Sequence, residues 1–555
     1  MKRMLAMLAM LVAVLAVAGC GGGGGSGQAT GTGADEEGEA VKGGILRIGT
    51  TDGYDSINPF VAFSAQSYST FIDIYPELVQ YNADFEWEGD WAESWETSPD
   101  GLTWTFHLKP GGKWSDGTPL TAEDAVWTGE TILKYADGPA ANLAPFLENV
   151  KSLEAPDPNT LVITYARPIG NVLPQLQQFF VLPKHIWEKH AANNGKALKQ
   201  YLPEKDLPIV SGGQYVLTKY DKKGTTILER NPGFYGTQPN ADAVGIQWFA
   251  NSDAMVTAFT SGELDFIGVP LTAVAAIEED PRFELIKADG FQINNFIFNS
   301  NPKKPKNREL LDPKVREAFA HALNREEMIE VVHAGFAQPV ASIVAPVAGE
   351  WMNPNLEPEP YDIELGNQIL DDLGYARGSD GIRTANGHKM SYEIITPDSL
   401  DGINRAFEIA KSGLAEIGVE VTQRSLDSTT AFEEIGAPDW KYLNFDLSMW
   451  DWVGYLDPNF VLSVVNCDQY GGWSDTGYCN PEYDRLYKQQ AGEPDEEKRK
   501  EIVWRLQEIL YRDKPYIQLA VLDTITAHST EWDGFLPGSL DAYSKRYLAE
   551  PHRVG

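Results

Sequence analysis

The sequence is poor in cysteine, histidine and positive charge. Three cysteines and eight histidines are spread over 555 residues. No His-Glu-x-x-His pair, no Gly-x-Ser-x-Gly elbow and no Gly-x-x-x-x-Gly-Lys-Ser/Thr loop occurs, so the signatures of the common metalloproteases, serine hydrolases and P-loop enzymes are missing. His185 and His190 stand five apart, off the i, i+4 spacing that sets two ligands on one helix face. No metal-ligand spacing is recognisable and no cofactor is expected. Lysine and arginine total 45 against 80 acids, a formal net charge of -35. A surface of that sign argues against nucleic acid as a partner. Among so many acids some carboxylates always lie close, so a secreted carbohydrate-active hydrolase stays open as the alternative function.

Long apolar runs are also missing, with one exception. "MKR" is followed by "MLAMLAMLVAVLAVA" and then by the small residues of "VAGC". A short basic segment, a short apolar segment and small residues before Cys20 make residues 1–19 an expected export signal. The arrangement resembles a bacterial lipobox, which implies lipidation of Cys20. Residues 20–43, Gly-rich and then acidic, have little to bury and read as a tether. The body is therefore expected on the outer face of the bacterial cytoplasmic membrane, or in the periplasm. In an exported chain, Cys467 and Cys479 are expected to form a disulfide. Closing a loop of that length contributes roughly 3 kcal/mol in the chain-entropy model. One pair supplies too few ligands for a structural zinc.

What is present is an ordered body with 43% hydrophobic and 11% aromatic residues. Its length exceeds what one core supports, so more than one domain is expected. "LTWTFHL" alternates as a half-buried strand. Thr121 and Asp124 form a capping box before a helix, and Asp312 with Pro313 opens another. "QINNFIFN" reads as a strand. "LNFDLSMW", from Leu443 to Trp450, is also a strand, with Leu443, Phe445, Leu447 and Met449 on one face and Trp450 on the other. Helices separate many strands in the second half, which favours parallel pairing and a mixed α/β fold. The loop expected from Asp451 then lies at a strand's carboxyl end, where open α/β sheets hold ligands. Trp450, Asp451, Trp452, Tyr455 and Asp457 are its candidate ligand-binding residues. Their rings and carboxylates suit sugar hydroxyls or a peptide amine.

"PDGLTWTFHLKPGGKWSDGTPLTAEDAVW" (99–127) and "LDPKVREAFAHALNREEMIEVVHAGFAQPV" (311–340), with "IGVEV", "NPEYDRLY" and "ILYRDKPYIQL" in order, resemble the extracellular solute-binding proteins, family 5, of peptide- and nickel-type ABC importers. The resemblance runs from about Gly44 to the C-terminus. It implies a bilobal periplasmic-binding-protein-like fold (type II, cluster C) with an extra inserted domain and a two-crossover hinge. Lobe I would comprise 44–80, 200–299 and 523–555, the inserted domain 81–199, and lobe II 300–522. The function implied is capture of a small ligand by hinge closure and delivery to ABC importer transmembrane subunits. A peptide is favoured and an oligosaccharide possible; the protein would be a monomer and not an enzyme. The first crossover would bring Asn295 and Phe298 to the cleft, and "NPFVAFSAQSYS" would bring Phe63, Ser64 and Tyr68. Trp114, inside the first signature, reads as structural. Dipeptide-binding members carry two cysteines that Cys467 and Cys479 match. They also hold the peptide amine with an aspartate three residues before an Asp-Pro. Here that position, counted from Asp457-Pro458, is Gly454.

Overall fold

The computed structural model describes residues 40–554 apart from 63, 399, 401 and 539–543. The expected export signal, Cys20, the tether up to residue 39 and Phe63 lie outside the described residues. Among the described residues no helix is long and apolar enough to cross a membrane.

The body opens with β1 (Ile45–Thr50) and α1 (Ala65–Ile74). An antiparallel sheet follows, built from β2 (Ala92–Thr97), β3 (Thr103–Leu108), β4 (Val150–Asp157) and β5 (Thr160–Tyr165) in the order β2-β3-β5-β4. The expected capping box opens α2 (Ala122–Lys134), with the Thr121 amide donating to Asp124 at 3.1 Å. This helix lies close on β4. A Cβ at Gly129 would stand 2.6 Å from the Leu153 side chain, so only glycine permits that approach. Trp114 is buried and donates its indole N–H to Asp124 at 3.3 Å, tying the turn before α2 to the helix start.

The second sheet is larger. Its strands are β1, β6 (Tyr215–Lys219), β7 (Thr225–Arg230), β8 (Ala243–Trp248), β9 (Phe266–Gly268) and β10 (Phe283–Phe298), then β11 (Ser391–Pro397), β12 (Glu420–Leu426), β13 (Leu447–Val453) and β14 (Tyr516–Ser529). Their order is β12-β11-β13-β10-β14-β9-β1-β8-β7-β6, and the two-residue strand Ala337–Gln338 also pairs with β14. β8 and β9 run parallel to β1 at one end, and β12 and β13 run parallel to β11 at the other. The long strands β10 and β14 lie antiparallel between these groups and join them.

Helices cover the β11–β13 end. α3 (Pro313–Ala322) is capped by Asp312 and α4 (Arg325–His333) by Asn324, and α5 (Ile403–Glu416) follows β11. Val315 and Phe319 of α3 pack with Phe407 and Leu414 of α5 against Phe296 and Leu447. On the other face, α6 (Pro481–Ala491) and α7 (Glu496–Asp513) bury Tyr483, Leu506 and Ile509 with Ile297.

β13 begins later than the sequence suggests. The Asn299 side-chain amide donates to the carbonyls of Tyr442 (3.0 Å) and Phe445 (2.7 Å). Asp439, Trp440 and Tyr442 hold positive φ, so the chain turns there rather than extends. The segment Asp451–Val453, expected as loop, is the second half of the strand.

Candidate ligand-binding cleft

The carboxyl ends of the parallel strands converge. β8 and β9 end at Trp248 and Gly268, and β11 and β13 end at Pro397 and Val453. Two cavities open around these ends. One, of about 650 Å³, lies between the β2–β5 region (Phe146, Arg167, Ile169) and the segment after β13 (Tyr455, Phe460, Trp473). The other, of about 980 Å³, lies between Pro270 and Leu271 after β9 and the α4 and α5 termini, with Asn294, Asn295, His333 and Trp450 on its wall.

β13 gives Met449 and Trp450 to the larger cavity, and the segment after it, from Tyr455, lines the smaller one. The strand pairs with β11 only at Leu447 and Ser448, while it pairs with β10 along its whole length to Val453. From Met449 onward, no strand among the described residues pairs with its outer edge. Val453 at the end is 53% exposed.

The smaller cavity is aromatic. Tyr455 is 45% exposed and meets Phe460 edge-on at 5.4 Å, and Phe460 meets Trp473 at 5.6 Å. Trp473 is 55% exposed, and Trp452 packs behind it at 6.4 Å. The Trp452 indole N–H donates to Asp475 at 2.9 Å, and the Tyr516 hydroxyl donates to the same carboxylate. Burial pushes Asp475 up to about 6, against the stabilising effect of those two donors. Cys467 and Cys479 are joined as a disulfide, so Trp473 and Asp475 sit on one closed loop.

Three candidate residues have other duties. Phe298 has no exposed surface; it packs on Phe319 at 5.5 Å under the Arg316 guanidinium and belongs to the core. The reason is position along the strand: Phe298 lies opposite Leu447, where α3 and α5 cover the sheet, beyond the stretch of β10 that reaches the larger cavity. Asp457 borders the smaller cavity, but its carboxylate is held by Arg499 at 2.6 and 2.9 Å and accepts the Asn459 amide at 2.9 Å. Both oxygens are committed to the Arg499 fork, so it serves as a structural anion. Ser64 spends its hydroxyl capping α1 at the Ser67 amide.

The remaining candidates divide. Asn295 and Trp450 face each other across β10 and β13 and border the larger cavity. Asn295 is fully buried and its Oδ1 has no partner among the described residues. Tyr68 packs on Phe146, a wall of the smaller cavity, at 6.3 Å, and burial pushes its hydroxyl up to about 12. Asp451 lies opposite Asn294 and accepts the Gln292 amide at 2.9 Å. Gly454 is open: a Cβ there would meet only the Phe291 carbonyl, at 3.8 Å. Phe146, Phe460, Trp473 and Arg499 were not singled out from sequence. Only Trp473, between the two cysteines, carried a signal.

The family model for bacterial extracellular solute-binding proteins, family 5, matches residues 86–472. The chain belongs to this family. A Brucella ovis protein named as an ABC transporter peptide-binding protein is 29% identical over 376 residues, covering 68% of this chain and 67% of that one. The glutathione-binding protein GsiB of Escherichia coli is 24% identical over 510 residues, covering 89% and 92%. Among solved structures, the periplasmic binding protein DppA of Helicobacter pylori, in complex with the peptide STSA, matches with a TM-score of 0.70 at 22% identity, covering 93% and 99%. The α/β fold of this family-5 chain is thus that of the periplasmic binding proteins. A family of solute-binding proteins gives no support to the hydrolase alternative.

Proposed function

We propose that this chain is the peptide-binding subunit of an ABC importer and that it holds its ligand as an added strand on the outer edge of β13. The observation that carries this is the unpaired edge from Met449 to Val453, flanked by two cavities. An extended peptide satisfies such an edge through its backbone and sends alternate side chains to either face. A sugar offers no matching row of amides and carbonyls. The names of the Brucella and Escherichia relatives point the same way.

In this reading, segments 44–80, 200–299 and 523–555 form one lobe, 81–199 the inserted domain and 300–522 the other lobe. β10 and β14 are the hinge about which they close on the ligand. The binding residues are Trp450, Asp451, Trp452 and Tyr455 with Asn295 and Tyr68, joined by Phe460 and Trp473. Export and a lipid on Cys20 hold the monomer beside its permease.

Native mass spectrometry of the purified protein tests the ligand class. A retained mass that fragments as a peptide is expected. A retained hexose polymer, together with no calorimetric response to mixed peptides, overturns the proposal. For the anchor, Cys20→Ser is expected to move the protein from the membrane fraction to the soluble fraction.

A further inference from the structure

Asp451 is a carboxylate without a cation. It stands in the middle of β13, half-buried, on the face that also carries Met449 and, across the strand pair, Gln292 and Asn294. Met449, Gln292 and Asn294 all border the larger cavity. Among the described residues the only side chain donating to the carboxylate is the neutral Gln292 amide, and Asp451 enters no ion pair. The basic residues bordering that cavity are Arg405 and His333, and among the described residues neither pairs with Asp451; Arg405 donates to the Val331 carbonyl at 2.9 Å. Burial holds His333 below the ordinary imidazole range, so it is neutral at neutral pH. Burial also pushes Asp451 above the usual carboxylate range, as expected of a charge removed from water without compensation.

We infer that the peptide presents a lysine or arginine side chain at the position directly opposite Asp451. This rests on the proposed strand addition to the β13 edge. A strand added there places one ligand side chain beside Asp451 on the same face, the separation at which opposite charges pair across strands. The terminal amine is not the group met: it lies in the plane of the sheet at the end of a strand, whereas Asp451 projects from a face. The residue just past the end of β13 is Gly454, which has no charge to offer an amine. The space there is open, so its lack of charge is not imposed by packing. The site thus reads a charged side chain in mid-strand and leaves the peptide's first residue less constrained.

The test is calorimetric titration of the intact exported protein with two peptide series. One is tetra-alanine with a single lysine placed at each position in turn. The other carries norleucine, which keeps the aliphatic stem and removes the charge. At one position the lysine peptide is expected to bind about tenfold tighter than its norleucine twin, and Asp451→Asn is expected to erase that difference. Circular dichroism of the variant checks its fold. Binding of both series with equal affinity overturns the inference while leaving the peptide reading in place. A lysine preference that persists in Asp451→Asn overturns it as well. If no peptide of either series binds, the peptide reading falls and the inference with it.

Discussion

Asp475 and Asp457 are two buried acids with opposite settings. Asp457 is neutralised by the Arg499 fork, and Arg499 also stacks over Trp351 at 4.7 Å. Removing the cation leaves a buried anion unpaired, so Arg499→Leu is expected to lower stability by roughly 3–5 kcal/mol in urea unfolding. Adding Asp457→Asn should recover much of that loss. Asp475 has only neutral donors, and its pKa is raised to about 6 in the fold. Between pH 4 and 6 the unfolded chain therefore releases this proton first, and the site's contribution to stability falls as pH rises. Asp475→Asn removes that contribution, and the wild-type and variant stability curves should diverge across this window and run parallel above it. The same contact involves Trp452. Because its indole N–H serves buried Asp475, Trp452→Ala is expected to cost stability as well as ligand affinity. Trp473→Ala separates the two: with the ring mostly in solvent, it should weaken peptide binding at least several-fold and leave the melting temperature of the unliganded protein nearly unchanged.

Strands and helices with a strong local pattern were legible in the sequence. The Thr121–Asp124 box, the Asp312 cap and the alternation of "LTWTFHL" each lie within a few residues of what they control. The extent of β13 was not legible, because its start is decided by Asn299, more than 140 positions away. The site was legible in part for the same reason. Aromatic Trp450 and Tyr455 stood out by type, but Asp457 was misread because its partner Arg499 arrives from a distant helix. The disulfide loop is the element that gathers these pieces. It carries Asp468, Gln469 and Trp473 to the smaller cavity and Asp475 to Trp452. Cys467→Ser with Cys479→Ser is expected to cost roughly 3 kcal/mol of stability. It should also weaken ligand binding beyond what Trp473→Ala does alone, as read by calorimetry with the same peptide.

At the scale of the whole molecule, the two flanks of the smaller cavity touch directly. The Gly170 amide donates to the Ala491 carbonyl at 3.0 Å, and Arg499 reaches the Gly170 carbonyl at 3.4 Å. A Cβ on Gly170 would stand 2.2 Å from the Glu493 carbonyl oxygen. Gly170→Ala is expected to hold the flanks apart, enlarge the radius of gyration in small-angle scattering of the liganded protein, and lower affinity by the fraction of closed state lost. The other seam joins early and late segments of the chain. β14 supplies the strand beside β9, and Lys545 is buried between Glu77 at 3.2 Å and Asp90 at 2.7 Å. These partners are separated by hundreds of positions in the chain. The first half of the polypeptide therefore waits, with an unfinished sheet and two buried acids lacking their cation, until almost the last residues have been synthesised. Were the proposed export to take the chain across unfolded, this order of assembly would give it time, because the segments that leave the ribosome first are the ones that finish folding last.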